Sequence, residues 1–281
     1  MSGSLPEALI ERAPAKINLT LEVLDRREDG YHALRSVMVP LDLCDTLEIA
    51  EAAESSFTCS DPTLQNEGNL VMRAVQAVAP NAKRAIHLQK VIPTQAGLGG
   101  GSSDAAAVLL AAMQGAFGPI EHRDWMATAR SLGSDVPFFL AQSGALVEGT
   151  GERVTALGPL PPWHVLVVKP PVAVSTATAY EELDRHKRTS RPRSDSLSLQ
   201  MVDAIQSHDF ARAQALLQND FHDVVARSFA PPGMLLSGSG SALFALAKTE
   251  EEIAAIDERL DVPDGFLRFR TRFRKNAVWR A

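Results

Sequence analysis

The residues best suited to chemistry in this 281-residue chain lie in one stretch, Pro93-Thr94-Gln95-Ala96-Gly97-Leu98-Gly99-Gly100-Gly101-Ser102-Ser103-Asp104. Four of the five residues from Gly97 to Gly101 are glycine, which lets backbone approach a ligand without Cβ atoms in the way. Ile86 to Val91 alternates apolar and polar residues and predicts a strand, whereas Asp104 to Met113 is almost wholly Ala, Val and Leu and predicts a buried helix closed by Gly115. A glycine loop between a strand and a helix start presents free N–H groups and the positive end of the helix dipole to its ligand. An anion fits best there, and phosphate is the natural one. Ser102 or Ser103 is expected to cap the helix. Phosphoryl transfer also needs a cation near the moving group and a residue to orient or deprotonate the acceptor. Lys16 is a candidate cation, and Asp135, in Gly133-Ser134-Asp135-Val136-Pro137-Phe138-Phe139, is a candidate carboxylate. Taken alone, a lysine is more often a surface residue, and an aspartate in a glycine–proline turn is usually a turn former.

Several phosphate loops are excluded. A nucleotide-triphosphatase loop needs Lys-Ser or Lys-Thr after its last glycine, and here Ser102-Ser103 follows Gly101. A dinucleotide fingerprint starting at Gly97 lacks its acidic residue at the required distance. The H-R-D catalytic loop of protein kinases is absent. A plain flexible turn before a core helix is the bland alternative, and four clustered glycines are entropically costly for that purpose.

The surrounding elements must position these groups. Ala15 to Val23 alternates and predicts a strand with Lys16 and Asn18 on one face. Tyr31 to Leu43 is β-rich, and Thr46 to Ala50 predicts a further strand. Asn69 to Val78 and Arg123 to Leu132 have helical spacing, and Gly144–Val147 with Arg153–Leu157 predicts a hairpin. The prolines of Gly158 to Pro162 mark a domain boundary, which divides the chain into 1–160 and 161–281. Beyond it, strands are expected at Trp163–Val168 and Leu243–Ala247, helices at Leu199–Ser207, Phe210–Gln218 and Glu250–Leu260, and a small-residue loop at Ser237-Gly238-Ser239-Gly240-Ser241. Arg185 to Ser198 reads as a surface loop, and Arg268, Arg270, Arg272 and Arg274 as the solvated face of an edge strand.

Composition is that of a globular chain, with 45% hydrophobic and 22% charged residues. A net charge of −6 argues against a nucleic-acid partner. The longest apolar run falls short of the ~20 residues that span a bilayer, and the N-terminal residues lack the pattern of a secretory leader. The cytoplasm is therefore expected, with Cys44 and Cys59 as reduced, buried thiols.

Four motifs occur together and in order: Ala13-Pro14-Ala15-Lys16-Ile17-Asn18-Leu19; Asp29-Gly30-Tyr31-His32 followed by Leu41-Asp42; Gly97 to Ala106; and Gly133 to Phe139. With Asn219-Asp220 and Leu236 to Gly240 they resemble the GHMP kinases. The likeness is strongest to the branch that phosphorylates a cytidine diphosphate ester of methylerythritol in the non-mevalonate isoprenoid pathway. The resemblance implies an α+β fold of two domains, the first with a mixed sheet and the second ferredoxin-like, with the active site between them. It implies ATP as co-substrate, accompanied by Mg2+, and a monomer or homodimer. It makes Asp135 the base and Lys16 the cation beside it. It places ATP against Pro93, Gly97, Leu98, Gly99, Gly100, Gly101, Ser102 and Ser103, with Asn69 and Leu70 near the adenosine. Asn18, Tyr31, His32, Thr176 and Tyr180 would meet the cytidine substrate. No residue is assigned to a metal. A homoserine or mevalonate kinase would share the loop without needing the Tyr31-His32 pair, and an inactive binding protein of the same fold would be expected to lose Lys16 or Asp135.

Overall fold

The computed structural model describes residues 8–26, 28, 30, 32–120, 123–186 and 196–275. Two long strands organise its first half, β1 (Leu9–Arg26) and β2 (His32–Glu51), paired antiparallel from Leu9↔Ile49 to Arg26↔His32. The two strands expected in the β2 region are thus one. Pro40 sits inside it without breaking it. Proline has no N–H to give the ladder, and opposite Pro40 the Lys16 N–H donates to Leu98 O at 2.9 Å. The strand that carries Lys16 is thereby hooked to the glycine loop.

The chain continues through β3 (Ser56–Cys59), α1 (Leu70–Val78), β4 (Arg84–Gln89), α2 (Gly100–Met113), α3 (Trp125–Leu132), α4 (Val136–Leu140), β5 (Ala145–Gly149) and β6 (Arg153–Ala156). It then forms β7 (His164–Lys169), α5 (Thr176–Arg185), α6 (Leu197–Gln206), α7 (Phe210–Ala215), β8 (Gln218–Asn219), β9 (Leu235–Leu236), β10 (Leu243–Ala247), α8 (Glu250–Arg259) and β11 (Leu267–Arg272). Among the described residues the first sheet has seven strands, in the order β3-β4-β2-β1-β8, with β5 paired to β2 and β6 to β5. It is mixed, since β3–β4 and β1–β8 are parallel and the other pairs antiparallel. The second sheet, β11-β7-β10-β9, is wholly antiparallel. Its strands lie in the order 4-1-3-2 with helices in both crossovers, the ferredoxin-like arrangement that the resemblance implied.

α2 is apolar all round and is the central helix of the first half. Its residues from Ser103 to Ala112 are buried, and each fully buried leucine or valine contributes roughly 1.5–3 kcal/mol. It begins at Gly100, earlier than the apolar run suggested, and its N-cap is Gly99 in the left-handed region at φ 71°. Ser102 and Ser103 lie inside the first turn and do not cap it. The two sheets meet in one core, in which Ile17, Leu19 and Leu98 pack with Val165, Val167 and Phe244. β8 also crosses from the second half to pair with β1, Leu21 opposite Asn219.

The arginines of β11 are not simply solvated. Arg268 and Arg270 pair with Asp257, and Arg272 and Arg274 with Asp42. Most of the basic loop expected at 185–198 lies outside the described residues. Its end does not, and there Ser196 Oγ and Ser198 N both donate to the buried Glu22 carboxylate.

Candidate active site

Lys16 projects from β1 beneath the glycine loop and is 3% exposed. Its ammonium donates to Asn18 Oδ1 at 2.7 Å and lies 3.6 Å from Asp135 Oδ2. Asn18 is held in turn, its amide donating to Ser36 Oγ at 2.8 Å, and Ser36 Oγ donating to Thr20 O at 2.6 Å. The strand's alternation therefore does what the sequence implied and sets Lys16 and Asn18 on one face. Asp135 immediately precedes α4, and its side chain is about one-third exposed. A buried cation thus faces a carboxylate that solvent and substrate can reach.

Two glycine-bearing loops close over this pair. Gly97 has φ 72°, and a Cβ there would overlap Ser237 O. Ser237 Oγ donates to Gly97 O at 3.0 Å, and Ala242 N to Ala96 O at 2.9 Å. Across the same seam a Cβ on Gly238 would lie 3.1 Å from Lys16 Nζ, and one on Gly99 would lie 3.0 Å from Lys16 Cγ. Asn219, buried at the end of β8, donates to Leu236 O and Gly238 O and so fixes the second loop. The interlock of these loops was not visible in the sequence, where both read only as small-residue stretches. Ser102 Oγ reaches toward Gly133, at 3.6 Å from where its Cβ would be, which brings the first turn of α2 beside the Asp135 turn.

His32 and Tyr180 meet across the halves, their rings stacked at 5.6 Å with 13° between planes. Phe221 packs edge-on to Tyr180 at 4.9 Å. Burial raises the Tyr180 hydroxyl above its ordinary pKa, and the nearby Asp135 charge adds to this. His32 Nδ1 lies 3.3 Å from Leu24 O. His32 Nε2 is buried and 3.2 Å from Asp184 Oδ1, but out of line for a hydrogen bond, so it retains unused hydrogen-bonding capacity. Thr176, the first residue of α5, has its hydroxyl 3.0 Å from Ser239 Oγ on the second glycine loop. Tyr31 lies outside the described residues.

A cavity of about 400 Å3 adjoins the loop on the side of Pro93, and Val91, Ile92, Thr94, Lys169 and Leu267 are among its walls. Asn69 and Leu70 are not among its lining residues. Asn69 caps α1, accepting from Val71 N and donating to Leu64 O, which leaves its second amide N–H outside the cap. Leu70 Cδ1 packs 3.4 Å from the Cβ position of Gly101.

The sequence reading missed Lys90, Asp45 and Asp104. Lys90 Nζ donates to Asp45 Oδ2 at 2.5 Å and to Asp104 Oδ2 at 2.8 Å, with all three side chains buried. Burial works against the Lys90 charge, but the two carboxylates outweigh it and raise its pKa. Asp104 goes up to about 8, because burial outweighs the opposing Lys90 charge. Cys44 and Cys59 are free, buried thiols, as expected. Among the described residues no group of three His, Cys, Asp or Glu could hold a metal ion, and no helix is long and apolar enough to cross a membrane.

The family description "GHMP kinases N terminal domain" matches residues 69–143, the segment that holds the glycine loop and Asp135. The 4-diphosphocytidyl-2-C-methyl-D-erythritol kinase of Deinococcus radiodurans is 41% identical over 248 residues, covering 84% of this chain and 83% of that one. The enzyme of the same name from Caldicellulosiruptor saccharolyticus is 36% identical over 275 residues, covering 90% and 93%. A crystal structure of 4-(cytidine 5'-diphospho)-2C-methyl-D-erythritol kinase superposes with a TM-score of 0.74 at 34% identity, over 94% of this chain and 99% of that one. A homoserine kinase from Cytophaga hutchinsonii shares the fold at a TM-score of 0.62 and 15% identity. Identity at this level, sustained along most of both sequences, means that the chain belongs to the 4-diphosphocytidyl-2-C-methyl-D-erythritol kinases, within the GHMP kinases.

Proposed function

We propose that this chain transfers the γ-phosphoryl group of ATP to the 2-hydroxyl of 4-diphosphocytidyl-2-C-methyl-D-erythritol, a step toward isoprenoid precursors carried out in the cytoplasm. The observation that carries this reading is the position of Lys16. Its backbone holds the glycine loop through Leu98 O, and its ammonium stands 3.6 Å from Asp135. One residue therefore links the anion cradle to the carboxylate.

In this reading Asp135 takes the proton of the acceptor hydroxyl as that oxygen forms its bond to the γ-phosphorus. The bond to the bridging oxygen breaks and ADP leaves. Lys16 stabilises the developing alkoxide and holds Asp135 in place. Phosphoryl transfer asks little more of a protein than positioning and charge stabilisation. Residues 97–103 receive the phosphates, with Pro93 leading in. The cavity walled by Val91, Ile92 and Leu267 suits a purine, and Leu70 adds an apolar contact near the loop. Asn69 keeps one amide N–H beyond its two cap bonds to offer the adenosine. Mg2+ binds substrate phosphates together with one or two carboxylates and keeps several waters. No carboxylate of this chain is assigned to it, since Asp135 serves as the base; bound to the phosphates, Mg2+ would neutralise their charge.

On the acceptor side, His32 Nε2 has hydrogen-bonding capacity for the cytosine edge, and Tyr180 and Tyr31 have rings to stack on the base. Asn18 and Thr176 stand closer to the reacting hydroxyl. We read 1–160 and 161–281 as two units with the site at their seam. Every residue named comes from a single chain, so a monomer would suffice. An assay of ADP release with the cytidine substrate, homoserine and mevalonate tests this reading. Turnover with the cytidine substrate alone is expected. Turnover with homoserine or mevalonate and none with the cytidine substrate would identify another GHMP kinase.

A further inference from the structure

We infer that Lys90 is a positioning residue for ATP, acting through a buried clamp that fixes both ends of the glycine loop. This rests on the reading that the loop holds the phosphates. The loop enters at 90–92 and leaves at the first turn of α2. At the entrance, Asp45 Oδ1 accepts from both Val91 N and Ile92 N, at 2.5 and 2.8 Å. At the exit stands Asp104, four residues into α2. Lys90 Nζ bridges the two, binding Asp45 Oδ2 and Asp104 Oδ2. One ammonium between the carboxyl groups of Asp45 and Asp104 therefore connects β2, the strand exit and the helix start.

The close packing shows that the clamp bears on the loop. A Cβ on Gly100 would lie 3.3 Å from Lys90 Nζ and 3.1 Å from Ile92 Cγ2. A side chain at Gly100 would press on the clamp directly behind it. Lys90 also lines the cavity beside the loop. Its side chain is 8% exposed and its ammonium is engaged by these two carboxyl groups, so it acts through the backbone it holds. Buried ions without partners are costly; Lys90 gives Asp45 and Asp104 one partner each, while Asp104 Oδ1 is buried without one. The width of the cradle, and hence the fit of the triphosphate, follows from the clamp. The acceptor pocket at His32 and Tyr180 does not depend on it.

The test uses two variants of the full chain, Lys90→Met and the double variant Lys90→Met with Asp104→Asn. The single variant leaves both Asp45 and Asp104 buried without a cation; the double one relieves Asp104, and Asp45 keeps its two backbone N–H donors. Folding is checked by thermal melting, and ATP KM, cytidine-substrate KM and kcat are measured at saturating co-substrate. The folded double variant is expected to raise ATP KM at least tenfold, with kcat and cytidine-substrate KM within twofold of wild type. An unchanged ATP KM, or equal shifts in all three constants, would overturn the inference. So would a double variant that cannot fold, because the network would then serve folding rather than the loop. If the wild-type protein itself fails to turn over the cytidine substrate with ATP, the fault lies in the functional reading and not in the clamp.

Discussion

Lys16 Nζ stands 3.6 Å from Asp135 Oδ2 while donating its shorter hydrogen bond, 2.7 Å, to Asn18 Oδ1. The ammonium is thus positioned by a neutral neighbour on its own strand and left close to a carboxylate that it does not fully engage. That arrangement suits a cation that must follow charge as it develops on the acceptor oxygen. Lys16→Met should leave the fold intact and lower kcat by roughly a hundredfold to a thousandfold, the range for losing one preorganised electrostatic contact. Steady-state kinetics at saturating substrates check it, and kcat within threefold of wild type would remove Lys16 from the chemistry.

Gly97 is the better place to test the cradle. At φ 72° a side chain is strained by roughly 1–2 kcal/mol, and its Cβ would also overlap Ser237 O. Gly97→Ala should separate the two interlocked loops and weaken ATP binding at least tenfold by calorimetry. Unaltered ATP affinity would place the phosphates elsewhere. A bulky residue at Gly100 would instead collide with Ile92 and Lys90 behind the loop, and so would report on packing.

The cytidine contacts lie away from the transferred group, so their loss should weaken binding more than chemistry. His32→Ala and Tyr180→Ala should each raise KM for the cytidine substrate several-fold or more. A base–aromatic stack is worth roughly 1–3 kcal/mol. Tyr31→Ala is expected to do the same. KM for ATP should barely move. If His32→Ala raised KM for ATP and spared the cytidine substrate, the two nucleotide pockets would be reversed.

Asp104 gives a pH signature. Its carboxyl is raised to about 8 in the folded protein by burial, against about 3.9 in an unfolded chain. An acid raised on folding adds stability that is complete below the unfolded value and is lost as pH rises through the folded one. Wild-type stability should therefore carry a component that falls between about pH 4 and 8. Asp104→Asn should remove it, giving a flatter profile of denaturation midpoint against pH. An equal slope in the variant would show that the titrating group is another.

The local parts of the site could be read from the sequence because their chemistry is local. A run of glycines before an apolar helix and an aspartate in a glycine–proline turn announce themselves within a dozen residues. The alternation around Lys16 and Asn18 likewise fixed their shared face. The parts that escaped notice depend on distant contacts. Lys90 and Asp45 stand 45 positions apart, and each looks like an ordinary surface charge until the fold buries them together. Ser237 and Gly97 are 140 positions apart, and the loops interlock only once the second sheet has packed on the first. The cap of α2 was misread because serine is the common choice, whereas a left-handed turn at that position favours Gly99. The two strands read at Tyr31–Leu43 and Thr46–Ala50 are one, β2, and Pro40 is tolerated within it because the Lys16 N–H opposite turns to the loop.

The central claim is that Asp135 accepts the hydroxyl proton while the glycine loop holds ATP, and one experiment addresses it directly. Wild type and Asp135→Asn are mixed with γ-labelled ATP and the cytidine substrate under single-turnover conditions, with ATP affinity measured in parallel. Wild type is expected to move the label onto the 2-hydroxyl of the cytidine substrate. Asp135→Asn should bind ATP nearly as well and transfer the label at least about a hundredfold more slowly, the lower range for general-base catalysis. Transfer by Asp135→Asn at close to the wild-type rate would contradict the account.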